Sequence, residues 1–384
     1  MQRTMDRGGF LKSATMLGGA VLLSGCGSGS GSGSGSVASS VKRPPIGSEP
    51  GSLSILEWGG YEATGTKAQK YWKLPGKAFT DQFCANGITY TYIVNDSQAL
   101  QKASQVPFDI MHPCNENTPD YVTRGLVQPW DTSLLPSFGS LNPYLVDRAK
   151  VNGQQYMIPW DWGYASLTYN SEHVDPADAT GWELAWNPKY KGKISMWDGA
   201  ASCLEVAALK LGFPQMDQMT SDQLSQAKQA LIEQKPMNKF YWQSEYGDMQ
   251  PALKNDSIWI AYSWQDVPPI LNGSSHKFVF LDPSQGRLSW FCGFMLGAHT
   301  KNYRHAHEYV ESFINKAACA DMTNTFYYGT SNIDVKASDI SDPALAKSLE
   351  LSNPQAIAAS NVHLQSWEKD RAAYDLAWEE VKAA

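Results

Sequence analysis

The chain has 384 residues, a formal net charge of −7, 42% hydrophobic and 18% charged residues. That acidic balance argues against nucleic acid or an anionic membrane surface as partner, and the length exceeds what one compact core holds, so two lobes are expected. From Leu53 onward no apolar stretch approaches the length of a membrane span.

The N-terminus reads as an export signal over residues 1–25. Arg3, Arg7 and Lys12 flank a short apolar run from Met16 to Leu23, too brief to span a bilayer. It ends in Leu23-Ser24-Gly25-Cys26, which resembles a bacterial lipobox, so Cys26 is the expected lipid anchor and the membrane contact is expected through that anchor alone. Arg7-Gly8-Gly9-Phe10-Leu11-Lys12 resembles the twin-arginine motif with Gly8 in place of the second arginine, which leaves the export route open. Residues 26–52 are rich in Gly and Ser and read as a flexible tether reaching roughly 25–30 Å.

Strand and helix patterns then alternate. Ser54 to Trp58 reads as a strand, followed by a helix opened by Pro75 with Phe79 and Phe83 on one face. Thr89–Val94 and Phe108–Met111 read as further strands, the latter stopped by Pro113. This alternation implies a parallel sheet covered by helices. Thr220 and Gln223 form a capping-box pattern before Leu224, Ala227 and Leu231. Helical spacing recurs at Ala306, Tyr309, Val310, Phe313 and Ile314, and again at Trp367, Tyr374, Trp378 and Val381.

Catalytic signatures are missing: there is no G-x-S-x-G, H-E-x-x-H, Walker loop or dinucleotide fingerprint. His305, His307 and Glu308 read as a solvated helix surface, because His-x-His on a helix points the rings to different faces. No catalytic residue, metal site or cofactor is expected. Beyond Cys26, the cysteines at 84, 114, 203, 292 and 319 have no metal-like spacing. Most read as small buried hydrophobes, with a disulfide open in an oxidising compartment.

The 14 tryptophans carry the strongest signal. Trp58-Gly59-Gly60-Tyr61, Trp160-Asp161-Trp162-Gly163, Tyr241-Trp242, Tyr262-Ser263-Trp264 and Trp290 fall beside glycine or acidic residues at the ends of expected strands. In open α/β sheets ligands bind at strand ends, where aromatic rings offer apolar walls and negative π-faces for a cation.

A long block then becomes informative: Pro159-Trp160-Asp161-Trp162-Gly163, Tyr169-Asn170, Val174-Asp175-Pro176, Trp182-Glu183-Leu184 and Trp186 through Lys193. It resembles the spermidine/putrescine-binding family of transporter receptors, and the resemblance extends through Phe108-Asp109-Ile110, Tyr262-Ser263-Trp264, Trp290 and Gly329-Thr330-Ser331-Asn332. The resemblance implies an α/β, two-lobed periplasmic-binding-protein fold of class II, with a ligand cleft between lobes at 53–160 and 161–289. Residues 290–384 would form the hinge return and C-terminal helices. It implies a monomeric receptor that delivers a small organic ligand to ABC transporter permease subunits, without catalysis.

The ligand-binding residues so implied are Trp58, Tyr61, Cys114, Asn115, Trp160, Asp198, Gly199, Ser202, Trp242, Tyr262, Trp264, Asp266 and Trp290. The family's acidic partners are not kept, since they fall on Gly199, Ser202 and Cys292; Asp161, Asp198, Glu116, Glu245 and Asp266 are the candidates to replace them. A small organic cation of polyamine type ranks first, ahead of a methylated cation or an amino-acid-like zwitterion. A secreted hydrolase and a sensory receptor are the readings from other classes.

Overall fold

The computed structural model describes residues 49, 52–61 and 88–384, apart from 214, 244–247, 274–276, 352 and 367. The expected signal, the Cys26 anchor, nearly all of the tether, the helix with Phe79 and Phe83, Cys84, Glu245 and Trp367 lie outside the described residues.

The first strands are short and apolar, as their β-branched and aromatic residues require. β1 (Leu53–Trp58) lies parallel between β2 (Ile88–Ile93) and β3 (Ile110–Met111). The second strand starts one residue earlier than expected, and the third loses Phe108 and Asp109. Asp109 turns its carboxylate away to accept from Ser54 N–H, the Thr300 hydroxyl and the Asn302 amide. Between β2 and β3 runs α1 (Asp96–Gln105), capped by Asn95, whose side chain accepts from Gln98 N–H. Then come α2 (Thr118–Thr123), β4 (Val127–Gln128), α3 (Pro143–Arg148) and the hairpin of β5 (Lys150–Val151) and β6 (Gln154–Gln155).

β7 (Met157–Asn170) is 14 residues long and buried throughout. It leads to β8 (Ile194–Trp197), α4 (Ala200–Lys210), α5 (Ser221–Gln234), β9 (Asn238–Trp242), α6 (Met249–Lys254), β10 (Ile260–Trp264), α7 (Val267–Asn272) and β11 (Phe278–Phe280). The capping box at Thr220 and Gln223 forms as its spacing predicts. β12 (Arg287–Gly297) returns antiparallel along β7, followed by α8 (Tyr303–Ile314), α9 (Lys316–Phe326), β13 (Gly329–Thr330), α10 (Pro343–Ser348), β14 (Val362–Leu364) and α11 (Arg371–Ala383).

The main sheet runs β2-β1-β3-β12-β7-β10-β8-β9. It is mixed and not parallel as expected: β1, β2 and β3 are parallel, as are β8, β9 and β10, but β12 runs antiparallel to β3 and β7 antiparallel to β10. Two hydrophobic cores form along it. One gathers β1–β3, Met157–Tyr164 of β7, Trp290–Leu296 of β12 and helices α8 and α9. The other gathers Ala165–Tyr169 of β7, β8, β10, Leu288 of β12, helices α4 and α5, and α11. The molecule is thus two-lobed, and β7 and β12 pass from one core into the other.

His305 and His307 do not form a solvated surface. His307 is fully buried between Trp130 and Tyr303, with Nδ1 2.7 Å from Tyr303 O while Nε2 accepts from Asp131 N–H. The imidazole is accommodated because backbone groups pair both nitrogens. Glu49 accepts from Arg304 and His305 N–H at the start of α8, so the chain is held to the first lobe at that residue.

Candidate functional site

A cavity of about 400 Å³ opens between the two cores, within the size range of small-molecule sites. Its aromatic walls come from strand ends. Trp58 closes β1, Trp197 closes β8 and Trp264 closes β10; Trp197 and Trp264 pack edge to face at 5.4 Å, and Trp242 behind them touches both. Trp290 enters from β12, and Tyr61 stacks on Phe326 with ring centroids 4.4 Å apart.

Two glycines make room for these rings. A Cβ on Gly163, the residue paired with Trp290 across the strands, would lie 2.6 Å from its indole. A Cβ on Gly199 would lie 2.5 Å from that of Trp197.

The polar lining is one-sided. Asp96, Glu116, Asp161 and Asp266 line the cavity, whereas no lysine, arginine or histidine among the described residues does. Burial and the neighbouring Asp96 charge push the Glu116 carboxyl up to about 8, and burial likewise raises Asp96, against the pull of the Cys114 N–H and Arg371. Glu116 Oε2 and the indole N–H groups of Trp58 and Trp290 are buried without a hydrogen-bond partner among the described residues. Such groups each cost about 1–3 kcal/mol until something pairs them. Behind Asp161, His112 bridges its carboxylate and that of Glu57, at 3.2 and 2.6 Å.

Of the residues implied by sequence, Trp58, Tyr61, Cys114, Ser202, Trp264, Asp266 and Trp290 line the cavity. The other six do not. Trp160 is buried behind Tyr61, and Trp242 and Tyr262 belong to the second core. Gly199 lies beneath Trp197. Asp198 accepts from the Trp378 indole at 2.8 Å and from Gln243, which ties it to α11. Asn115 spans the crossing, donating to Gln365 O and accepting from Phe291 N–H.

Trp197, Asp96, Phe326, Tyr328 and Gln365 line the cavity without having been singled out. For three of these the signal was present: Trp197 ends a strand, Asp96 follows one, and Tyr328 directly precedes the Gly329–Asn332 motif. Cys292 is disulfide-bonded to Cys114, while Cys203 and Cys319 are free and buried.

Residues 79–347 match the family described as bacterial extracellular solute-binding protein. This chain belongs to that family. Its work is therefore solute capture and not catalysis. The spermidine/putrescine-binding periplasmic protein 1 of Haemophilus influenzae is 24% identical over 284 residues, 72% of this chain and 75% of the relative. A putative spermidine/putrescine ABC transporter structure from Listeria monocytogenes superposes with TM-score 0.69 at 20% identity, covering 86% of this chain and 99% of that one. The PBP MotA from A. tumefaciens B6, in complex with glucopine, gives 0.68 at 16% identity, covering 86% and 99%. Both structures share the fold with this solute-binding protein.

Proposed function

We propose that this solute-binding protein captures a small organic cation of the polyamine class outside the cytoplasm and hands it to the permease of an ABC importer. The observation that carries this reading is the lining of the cavity: aromatic walls and, among the described residues, four carboxylates and no basic side chain. Aromatic faces and carboxylates together offset the cost of taking an ammonium group out of water. The names of the relatives support the same class. Asp96, Glu116, Asp161 and Asp266 take the place of the acids lost at Gly199, Ser202 and Cys292. The lipobox ending in Cys26 supports anchoring of a monomeric receptor to the membrane surface through that residue.

Thermal unfolding of the compact unit Lys42–Ala384 tests the ligand class. At one hundred times its dissociation constant, a ligand that binds only the folded form stabilises by about 2.7 kcal/mol, which should raise the midpoint by several degrees. Putrescine or spermidine is expected to do so, and GABA and glucopine are not. A midpoint moved only by the latter pair would overturn the cation reading while leaving the receptor role intact.

A further inference from the structure

Beneath the aromatic wall lies a chain of buried ionisable groups drawn from three distant segments. Glu57 is on β1, His112 follows β3, and Asp161 is on β7; their side chains are 0, 0 and 2% exposed. His112 Nδ1 lies 2.6 Å from Glu57 Oε1, and Nε2 lies 3.2 Å from Asp161 Oδ1. A carboxylate only accepts, so the ring serves both partners fully when it is the imidazolium, donating from each nitrogen. The other groups packed on it are rings: Tyr61 at 5.5 Å, Trp160 at 5.2 Å and Phe294 at 4.9 Å. Burial alone would strip the proton from His112, but the Glu57 charge and the hydrogen bonds to Asp161 and Glu57 overcome it and raise the group to about 10.

Asp161 is the one member of this chain that reaches the cavity. Its second oxygen, Oδ2, accepts from the Tyr61 hydroxyl at 3.4 Å. It also sits directly across the strand pair from Cys292, so residues on the same face of adjacent strands exchange roles: the cysteine is bound to Cys114, and the carboxylate stands on the partner strand.

We propose that His112 is a positioning residue for ligand capture: as an imidazolium it cancels the buried Glu57 charge and fixes the Asp161 carboxylate, making Asp161 with Tyr61 the seat of one cationic group of the ligand. The proposal rests on the reading of the cavity as a cation site. One net negative charge then faces the ligand from a chain that contains two carboxylates. Aspartate needs no other partner to keep its orientation, because both of its oxygens are already occupied by donors on the protein side.

The test has two arms on the Lys42–Ala384 unit. Long-range ¹H–¹⁵N NMR of the wild type, without ligand, reads the protonation of His112 directly. Both ring nitrogens are expected to carry protons at pH 8; a neutral tautomer there overturns the positioning role whatever the ligand proves to be. Calorimetric titration with putrescine and spermidine then compares D161N, H112Q and the double variant. D161N and H112Q are each expected to weaken binding tenfold or more, and the double variant to be no worse than D161N alone. Additive losses, or wild-type affinity in H112Q, would remove the coupling between the two residues. Wild-type affinity in D161N alongside loss in E116Q would place the seat elsewhere and overturn the proposal while the cation reading stands. A wild-type protein that binds neither amine removes the seat and the cation reading together. If H112Q does not fold, the isosteric D161N and the wild-type spectrum still decide the matter.

Discussion

At the scale of single residues, the cavity depends on small neighbours as much as on its large rings. Gly163 lies directly under Trp290, and an alanine there would push the indole toward the ligand space. G163A is expected to leave the fold intact, since an extended strand residue accepts a methyl group, yet to weaken ligand binding about tenfold; calorimetry together with tryptophan emission would show it. Glu116 gives a second prediction. With a value near 8 against an ordinary 4.5, it holds its proton at pH 6 and loses most of it by pH 9. A cation beside it favours the ionised form, so affinity should rise between pH 6 and 8, by at most about tenfold per pH unit, with a proton released on binding. E116Q should flatten that dependence. For folding stability the sign is opposite: between about pH 4.5 and 8 the folded state holds the extra proton, so the ligand-free protein loses stability as pH rises. Glu116 was legible in the sequence only as a candidate. Glu57 and His112 were not legible at all, because 55 residues separate them and neither carries a motif.

At the scale of elements, the strand–helix alternation, the capping box at Thr220 and the amphipathic spacing of α8 were readable because each is local. The long central strand was harder. β7 is buried on both faces, so the alternation that marks a half-exposed strand is missing, and Trp160 could not be told from Trp162 or Trp58 by pattern. Trp160, Trp242 and Tyr262 lie outside the cavity lining for the same reason: sequence locates a strand end but not which ring turns into the cleft. The disulfide was equally hidden, since its cysteines are 178 residues apart. Cys114–Cys292 ties the turn after β3 to β12, and closing so long a loop contributes at most about 5 kcal/mol by restricting the unfolded chain. Reductant, or the C114S/C292S variant, should therefore lower the unfolding midpoint by several degrees in scanning calorimetry. An extracellular compartment is one in which such a bond persists.

At the scale of the whole molecule, the two lobes are joined by β7, β12 and the segment from β14 into α11. Gln365 sits in that last link. It accepts from Asn115 beside the first core and donates to Ser202 and Glu205 of α4 in the second. Arg371, on the helix that packs in the second core, reaches Asn117 at 2.6 Å and Asp120 at 3.4 Å on the first-lobe side. Ligand contacts that exist only when both lobes meet the solute shift such a hinge toward the closed form. Small-angle scattering is expected to show a smaller radius of gyration with a bound amine, and no change for D161N at the same amine concentration.

The attachment of Glu49 to the start of α8 has a mechanical meaning for this motion. Whatever holds the chain upstream pulls on the first lobe, at a point braced by two backbone N–H groups. Were the chain anchored upstream of Glu49, the first lobe would be the moored half of a jaw and the second the half that swings, and a transporter that senses closure would read the displacement of the second against a berthed first.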